Sequence, residues 1–205
     1  MTKDDGRRAI GPSSSVRTKM AKTISVFGGN APQVGSPAYE GARRLGRLLA
    51  EAGFSVATGG YGGTMAAVSQ GAREAGGHVI GVTTDLFARR GLKPNPWVHE
   101  VVHFPTLRER LLHLVTTSDG LIALKGGVGT LSEVALAWSF LQTAEMAPKP
   151  LILVGPGWRR TIETYAQESY IGQRDLELLT LVDTPEEAVD VLRDQLLLIR
   201  GSGDG

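Results

Sequence analysis

Residues 124–134 read LKGGVGTLSEV, a glycine turn set between an apolar strand pattern and an apolar helix pattern. Gly126, Gly127 and Gly129 let backbone N–H groups converge where a helix begins. A helix start carries unpaired donors and partial positive charge, so it favours phosphate. Thr130 adds a hydroxyl, and Glu133 adds a carboxylate one turn further on. An ordinary strand-to-helix turn needs flexible residues but neither the hydroxyl nor the acid. The segment therefore points to a nucleotide-handling site.

Three other strings need weighing. KGGVGT looks like the start of a Walker A loop, but Gly129 stands where that loop needs the lysine before Thr130, which argues against an NTPase. TGGYGGTM, residues 58–65, follows an apolar run and opens a helical one. Met65 occupies the place of the third glycine in G-x-G-x-x-G, and Gly28-Gly29-Asn30 also fails that pattern, so a dinucleotide cofactor is disfavoured. Helix-on-sheet packing explains these glycines as well as ligand contact does. His99–His103 spells HExxH, a zinc motif that works only on a helix. Pro94, Pro96 and Pro105 bracket it and three valines favour an extended chain, where the histidines stand about 13 Å apart. No metal is expected. Arg108-Glu109-Arg110 opens a helix after Pro105-Thr106, either as a solvated charged face or as a cation reaching a substrate's ribose or Glu133.

The elements that must hold these residues alternate. Strand patterns at Thr23–Phe27, Phe54–Ala57, Val79–Val82, Leu121–Leu124, Leu151–Val154 and Leu179–Val182 are separated by helical ones. The helices are expected at Ser36–Ala52, Met65–Ala75, Leu107–Val115, Leu131–Leu141, Trp158–Glu168 and Pro185–Leu198. Strands alternating with helices predict an α/β fold: a doubly wound, Rossmann-like parallel sheet with helices on both faces. Ligands of such sheets gather at the carboxyl ends of the strands, where all three glycine turns fall.

Composition narrows the function classes. The chain has 205 residues, 41% of them hydrophobic and 27 of them glycine, enough for a single domain over residues 22–200. Residues 1–21 and 201–205 are polar and read as disordered tails. A net charge of +1 announces no nucleic-acid partner. Cysteine is absent, so disulfides and thiolate chemistry are excluded. No apolar run approaches a membrane span and no signal-peptide core follows the basic N-terminus, so a cytoplasmic protein is expected.

LKGGVGTLSE resembles the PGGxGTxxE signature of the LONELY GUY (LOG) proteins, long labelled possible lysine decarboxylases. VFGGN is similar to that family's first strand and turn, TGGYGGTM to its second glycine turn, and LRERL to its Met-His-Glu-Arg-Lys helix start. Similarity spans roughly residues 22–155. The resemblance implies a phosphoribohydrolase that cleaves the N-glycosidic bond of AMP or N6-modified AMP, as in cytokinin activation, without a cofactor. It implies Glu133 and Arg110 as catalytic residues, and Gly126, Gly127, Gly129 and Thr130 as the phosphate site. Gly28, Gly29, Gly60, Gly62 and Gly63 would contact substrate. It also implies a homodimer with the site near the interface, to which the apolar helix bearing Trp138 and Phe140 could contribute.

The sequence departs from the signature at Lys125, where the family has Pro, and at Leu107, Arg108 and Leu111 in the second motif. These departures resemble the branch that includes molybdenum-cofactor carrier-like proteins, so a pterin carrier without chemistry is the alternative. A pyridoxal-phosphate decarboxylase would need a Schiff-base lysine in a matching site. Lys125 is so placed, but no partner for the pyridinium nitrogen is evident.

Overall fold

The computed structural model describes residues 21–201. The expected tails lie outside these residues, except for Ala21 and for Gly201, which closes the last helix. Seven strands form one sheet: β1 (Thr23–Phe27), β2 (Ser55–Thr58), β3 (Val79–Thr84), β4 (Glu100–Phe104), β5 (Gly120–Ala123), β6 (Leu151–Val154) and β7 (Thr180–Val182). Their order is β4-β3-β2-β1-β5-β6-β7, and every pairing is parallel. The fold is the Rossmann-like α/β sheet that the alternation predicted.

Burial explains why these runs become central strands. β5 and β6 are buried at every position, which suits apolar segments covered on both faces. One face is covered by α1 (Pro37–Glu51), α2 (Thr64–Glu74) and α8 (Pro185–Gly201), whose Leu45, Val68 and Leu192 meet Ile24, Val56 and Ile152. The other is covered by α4 (Leu107–Thr116), α5 (Val128–Gln142) and α6 (Pro156–Gln167), which bring Leu114, Val134 and Ile162 against Phe27, Leu121 and Leu153. α1 and α2 approach closely because both carry glycine at the crossing. A Cβ on Gly46 would overlap the Val68 carbonyl, and one on Gly71 the Arg43 carbonyl.

Two short helices escaped the periodicity, α3 (Asp85–Ala88) and α7 (Gln173–Leu176), each too brief to show a repeat. α5 begins at Val128, three residues before its apolar pattern, so Gly129 and Thr130 belong to its first turn. The HExxH string runs into edge strand β4, as its prolines and valines predicted. There His99 stacks on His78, while His103 bridges Thr83 and Asp85 at 2.8 and 2.7 Å.

Candidate functional site

The sheet reverses its winding between β1 and β5, the switch point at which open α/β sheets bind ligands. The turns leaving these strands are tied together. Leu124 N–H donates to the Phe27 carbonyl at 2.9 Å, and Gly29 N–H donates to the Lys125 carbonyl at 3.1 Å. Thr64 N–H in turn donates to the Gly29 carbonyl at 2.9 Å, which brings the β2–α2 turn alongside. A crevice of about 300 Å³ opens where the three turns meet. Its walls include Gly28, Gly29, Gly127, Gly129, Thr130, Arg110 and Glu133.

α5 starts in this crevice without a side-chain cap on Gly127, so the amides of its first turn have no capping partner. Gly127 has ordinary backbone angles, φ −102° and ψ −154°, and a Cβ there or on Gly129 would meet no atom within 4 Å. Neither the turn nor the packing demands glycine at these two positions. What glycine provides is a bare backbone open to the crevice. Thr130 is buried behind it, and a Cβ on Gly126 would overlap the Thr130 side chain.

Arg110 sits in the first turn of α4, whose start is fixed by a capping box. Glu109 N–H donates to the Thr106 hydroxyl at 3.2 Å, and Thr106 N–H donates to the Glu109 carboxylate at 3.1 Å. With Glu109 so engaged and Arg108 exposed, the helix turns Arg110 inward, where it is 6% exposed. Its Nε donates to the Val82 carbonyl at 2.7 Å and its Nη2 to the Gly59 carbonyl at 3.3 Å. The guanidinium carbon lies 5.8 Å from the Tyr61 ring centre and 5.7 Å from that of Phe87. Burial pulls its pKa down, while Glu133 and Tyr61 hold it up.

Glu133, one turn into α5, makes no hydrogen bond or ion pair among the described residues. Burial pushes its carboxyl up to about 7, against the opposing pull of Arg110. A carboxyl with a pKa near neutrality, a buried fixed cation and an open helix start thus share one crevice. That set can hold an anion and stabilise or exchange a proton beside it.

The model of the family described as possible lysine decarboxylase matches residues 65–192. The chain belongs to the possible lysine decarboxylase (LOG) family. The matched span contains Arg110, the 126–130 turn and Glu133, whereas the turns at Gly28 and Gly59–Gly63 precede it. Among relatives of this LOG chain is the cytokinin riboside 5'-monophosphate phosphoribohydrolase of Mycobacterium tuberculosis. It is 30% identical over 175 residues, which cover 82% of this chain and 91% of that protein. Solved structures add a second kind of neighbour. The molybdenum cofactor binding protein of Rippkaea orientalis superposes with a TM-score of 0.70 at 27% identity, covering 86% of this chain and 98% of that one. The molybdenum cofactor carrier protein of Chlamydomonas reinhardtii gives 0.64 at 26% identity, covering 87% and 99%.

The expected site residues separate within this LOG fold. Arg110, Glu133, Thr130, Gly127, Gly129, Gly28 and Gly29 line the crevice. Gly126 and Lys125 line a neighbouring cavity. Gly60, Gly62 and Gly63 line neither. Gly60 has φ +76° and packs on Gly81, while Gly62 and Gly63 pack on Asn30. From the same turn it is Tyr61 and Met65 that reach the crevice, joined by Asn30, Phe87 and Leu92. Sequence reasoning missed these five, although Asn30, Tyr61 and Phe87 each lie three residues beyond a strand's carboxyl end. Trp138 is half-buried, with its indole N–H donating to the Asp175 carbonyl at 2.7 Å, and Phe140 packs against the core. The large apolar residues that α5 exposes are Val128 and Leu131. No described helix is long and apolar enough to cross a membrane.

Proposed function

We propose that the crevice is the active site of a nucleoside 5'-monophosphate phosphoribohydrolase, which hydrolyses AMP or N6-modified AMP to the base and ribose 5-phosphate. The observation that carries this reading is Glu133, a partly buried carboxyl with a raised pKa, one turn beyond an uncapped helix start and facing the same space as buried Arg110. The amides of α5 and Thr130 would bind the phosphate, with Gly126 supporting the turn. Remote binding of that phosphate would orient the reacting bond. As the C1'–N9 bond breaks, its electron pair leaves with the base and positive charge builds on the ribose. Ionised Glu133 would stabilise that charge and take a proton from the attacking water, whose oxygen bonds to C1' while the departing base takes a proton from solvent. Arg110 has two donors committed to the Val82 and Gly59 carbonyls, so it is a fixed charge that keeps Glu133 ionisable and can reach a ribose hydroxyl. Family membership at about 30% identity to a named phosphoribohydrolase adds support.

Activity should depend on the carboxylate form. kcat/KM is expected to fall about tenfold per pH unit below about 7, because protonation removes the active form. Base release from AMP and N6-isopentenyl-AMP, followed by chromatography, tests the reading. Release that disappears in Glu133→Gln supports it, whereas full turnover by that variant removes Glu133 from the mechanism.

A second reading is favoured by the molybdenum-cofactor neighbours and by Lys125 in place of the signature proline. In it the same cradle carries a phosphorylated pterin without cleaving it. Tight pterin binding with no base release from either nucleotide would select it. A decarboxylase is less well served, because Lys125 lies outside the crevice that holds Arg110 and Glu133. We further propose that residues 22–200 act as one domain in the cytoplasm, as a homodimer.

A further inference from the structure

A second cavity, of about 580 Å³, lies on the other side of the α5 start, between the turns that leave β5 and β6. Gly127 is common to its wall and to the wall of the crevice. Lys125 and Arg160 line this cavity, no carboxylate does, and among the described residues neither cation has a hydrogen-bond or ion-pair partner. Most of the remaining wall is apolar, including Val128, Leu131 and Trp158. The Trp158 indole N–H is already engaged, donating to the Leu124 carbonyl at 3.2 Å, so this mostly buried ring adds an apolar edge to the wall. The hydrolase reading uses none of these side chains, and Lys125 is where the glycine-turn motif departs from the family's PGGxGTxxE pattern.

We propose that this cavity receives what is attached to a nucleotide's 5'-phosphate, so that the protein takes nucleotides bearing a 5'-pyrophosphate link. The inference rests on the reading of the crevice as a nucleoside-monophosphate site. A phosphoryl group held at Gly127 borders both spaces. With a monophosphate bound, the second space and its two cations have no counterpart. A second phosphoryl group answers both, since charge-assisted contacts to phosphate are among the stronger polar interactions. The second cavity is also larger than the crevice, and its apolar wall suits a further group beyond the pyrophosphate, as in ADP-ribose.

Calorimetric titration of the full chain with AMP, ADP and ADP-ribose, at fixed salt, tests this. ADP should bind about tenfold more tightly than AMP. The double variant Lys125→Ala/Arg160→Ala should lose that advantage and keep its affinity for AMP. Both side chains are exposed, so the substitutions leave the fold intact. ADP-ribose binding at least as tightly as ADP supports a site for an internal pyrophosphate, and weaker binding supports a site for a terminal one. ADP no tighter than AMP, or an advantage that survives the double substitution, overturns the inference. Base release from AMP, read on the same samples, keeps the two claims apart. Cleavage of AMP without an ADP advantage sinks this inference alone, whereas an ADP advantage without cleavage sinks only the hydrolase.

Discussion

The two glycine turns that flank the crevice look alike in sequence and differ in cause. In the turn after β2, Gly60 and Gly63 have φ of +76° and +60°, backbone that side chains rarely adopt. A Cβ on Gly63 would press into the Asn30 backbone, and one on Gly59 would overlap the Arg110 guanidinium. In the turn after β5, Gly127 and Gly129 have open space around them and no positive φ. Folding demands glycine in the first turn, whereas in the second only Gly126, against Thr130, is so constrained, and Gly127 and Gly129 are not. What remains for the second is a ligand that must approach the backbone. The comparison makes the first turn a scaffold and the second a site, and each half can be broken separately.

The largest effect belongs to the helix that the second turn opens. Glu133→Gln should lower base release about 10³-fold, the usual size of a lost acid–base group, while phosphate affinity stays within a few-fold. Steady-state kinetics with AMP, alongside binding of inorganic phosphate, separate the two. If both collapse together, Glu133 is part of the scaffold and the contrast between the turns is lost.

Next comes the scaffold turn. Gly63→Ala introduces a Cβ at positive φ against backbone that has no flexible end to yield, and should cost about 3 kcal/mol of stability. Denaturant midpoints measure it. A near-neutral result would mean that the turn relaxes easily and that its glycines need another explanation.

The same contrast marks how much could be read from the chain. The alternation of strand and helix patterns was enough for the sheet, because buried parallel strands are apolar at nearly every position and amphipathic helices repeat at 3.6 residues. Glu133 and the 126–130 turn were legible because their residue types exceed what a turn needs. From its residue type and spacing Arg110 was only one of two arginines in a charged run, and the family resemblance was what singled it out. The sequence does not say that the Thr106–Glu109 capping box would orient the helix so that one arginine is buried and the other exposed. Gly60, Gly62 and Gly63 were indistinguishable from Gly127 and Gly129, since a string of letters carries neither φ nor the distance to Asn30. Phe87 and Leu92 follow a strand that reads as ending at Val82 but runs to Thr84, and α3 is too short for a period to reveal it.

A site residue should also cost stability where a scaffold residue supplies it. Burial raises the Glu133 carboxyl from 4.5 to about 7, so the folded protein holds its proton over a range in which the unfolded chain has released it. Below about pH 4.5 both states are protonated and burial carries no penalty. The penalty grows as pH rises through this window and is complete above about 7. Glu133→Gln removes it. After allowance for solvent screening, the variant should be more stable than the parent by about 2 kcal/mol at pH 8, and equal to it at pH 4. Thermal melts at the two pH values decide this, and a gain that is the same at both would mean that the carboxyl is not desolvated.

The smallest effect on stability is the sharpest test of the comparison. Gly129 lies in the first turn of α5 with helical backbone, and a methyl group there meets no protein atom within 4 Å. Gly129→Ala should therefore raise stability by about 0.5–1 kcal/mol, since alanine loses less backbone freedom in a helix than glycine does. The methyl group projects into the space the ligand is to occupy, next to the amides that are to hold it. Nucleotide affinity should fall about tenfold even as the fold becomes firmer, the stability–function trade expected of a residue selected for access. Gly63→Ala can only lose stability, and loses binding in proportion to unfolding. Opposite signs for stability and affinity at Gly129, and matching signs at Gly63, are what distinguish a turn kept bare for a ligand from a turn kept bare for its neighbours. If Gly129→Ala binds nucleotide as the parent does, the open space above α5 is not where the phosphate sits.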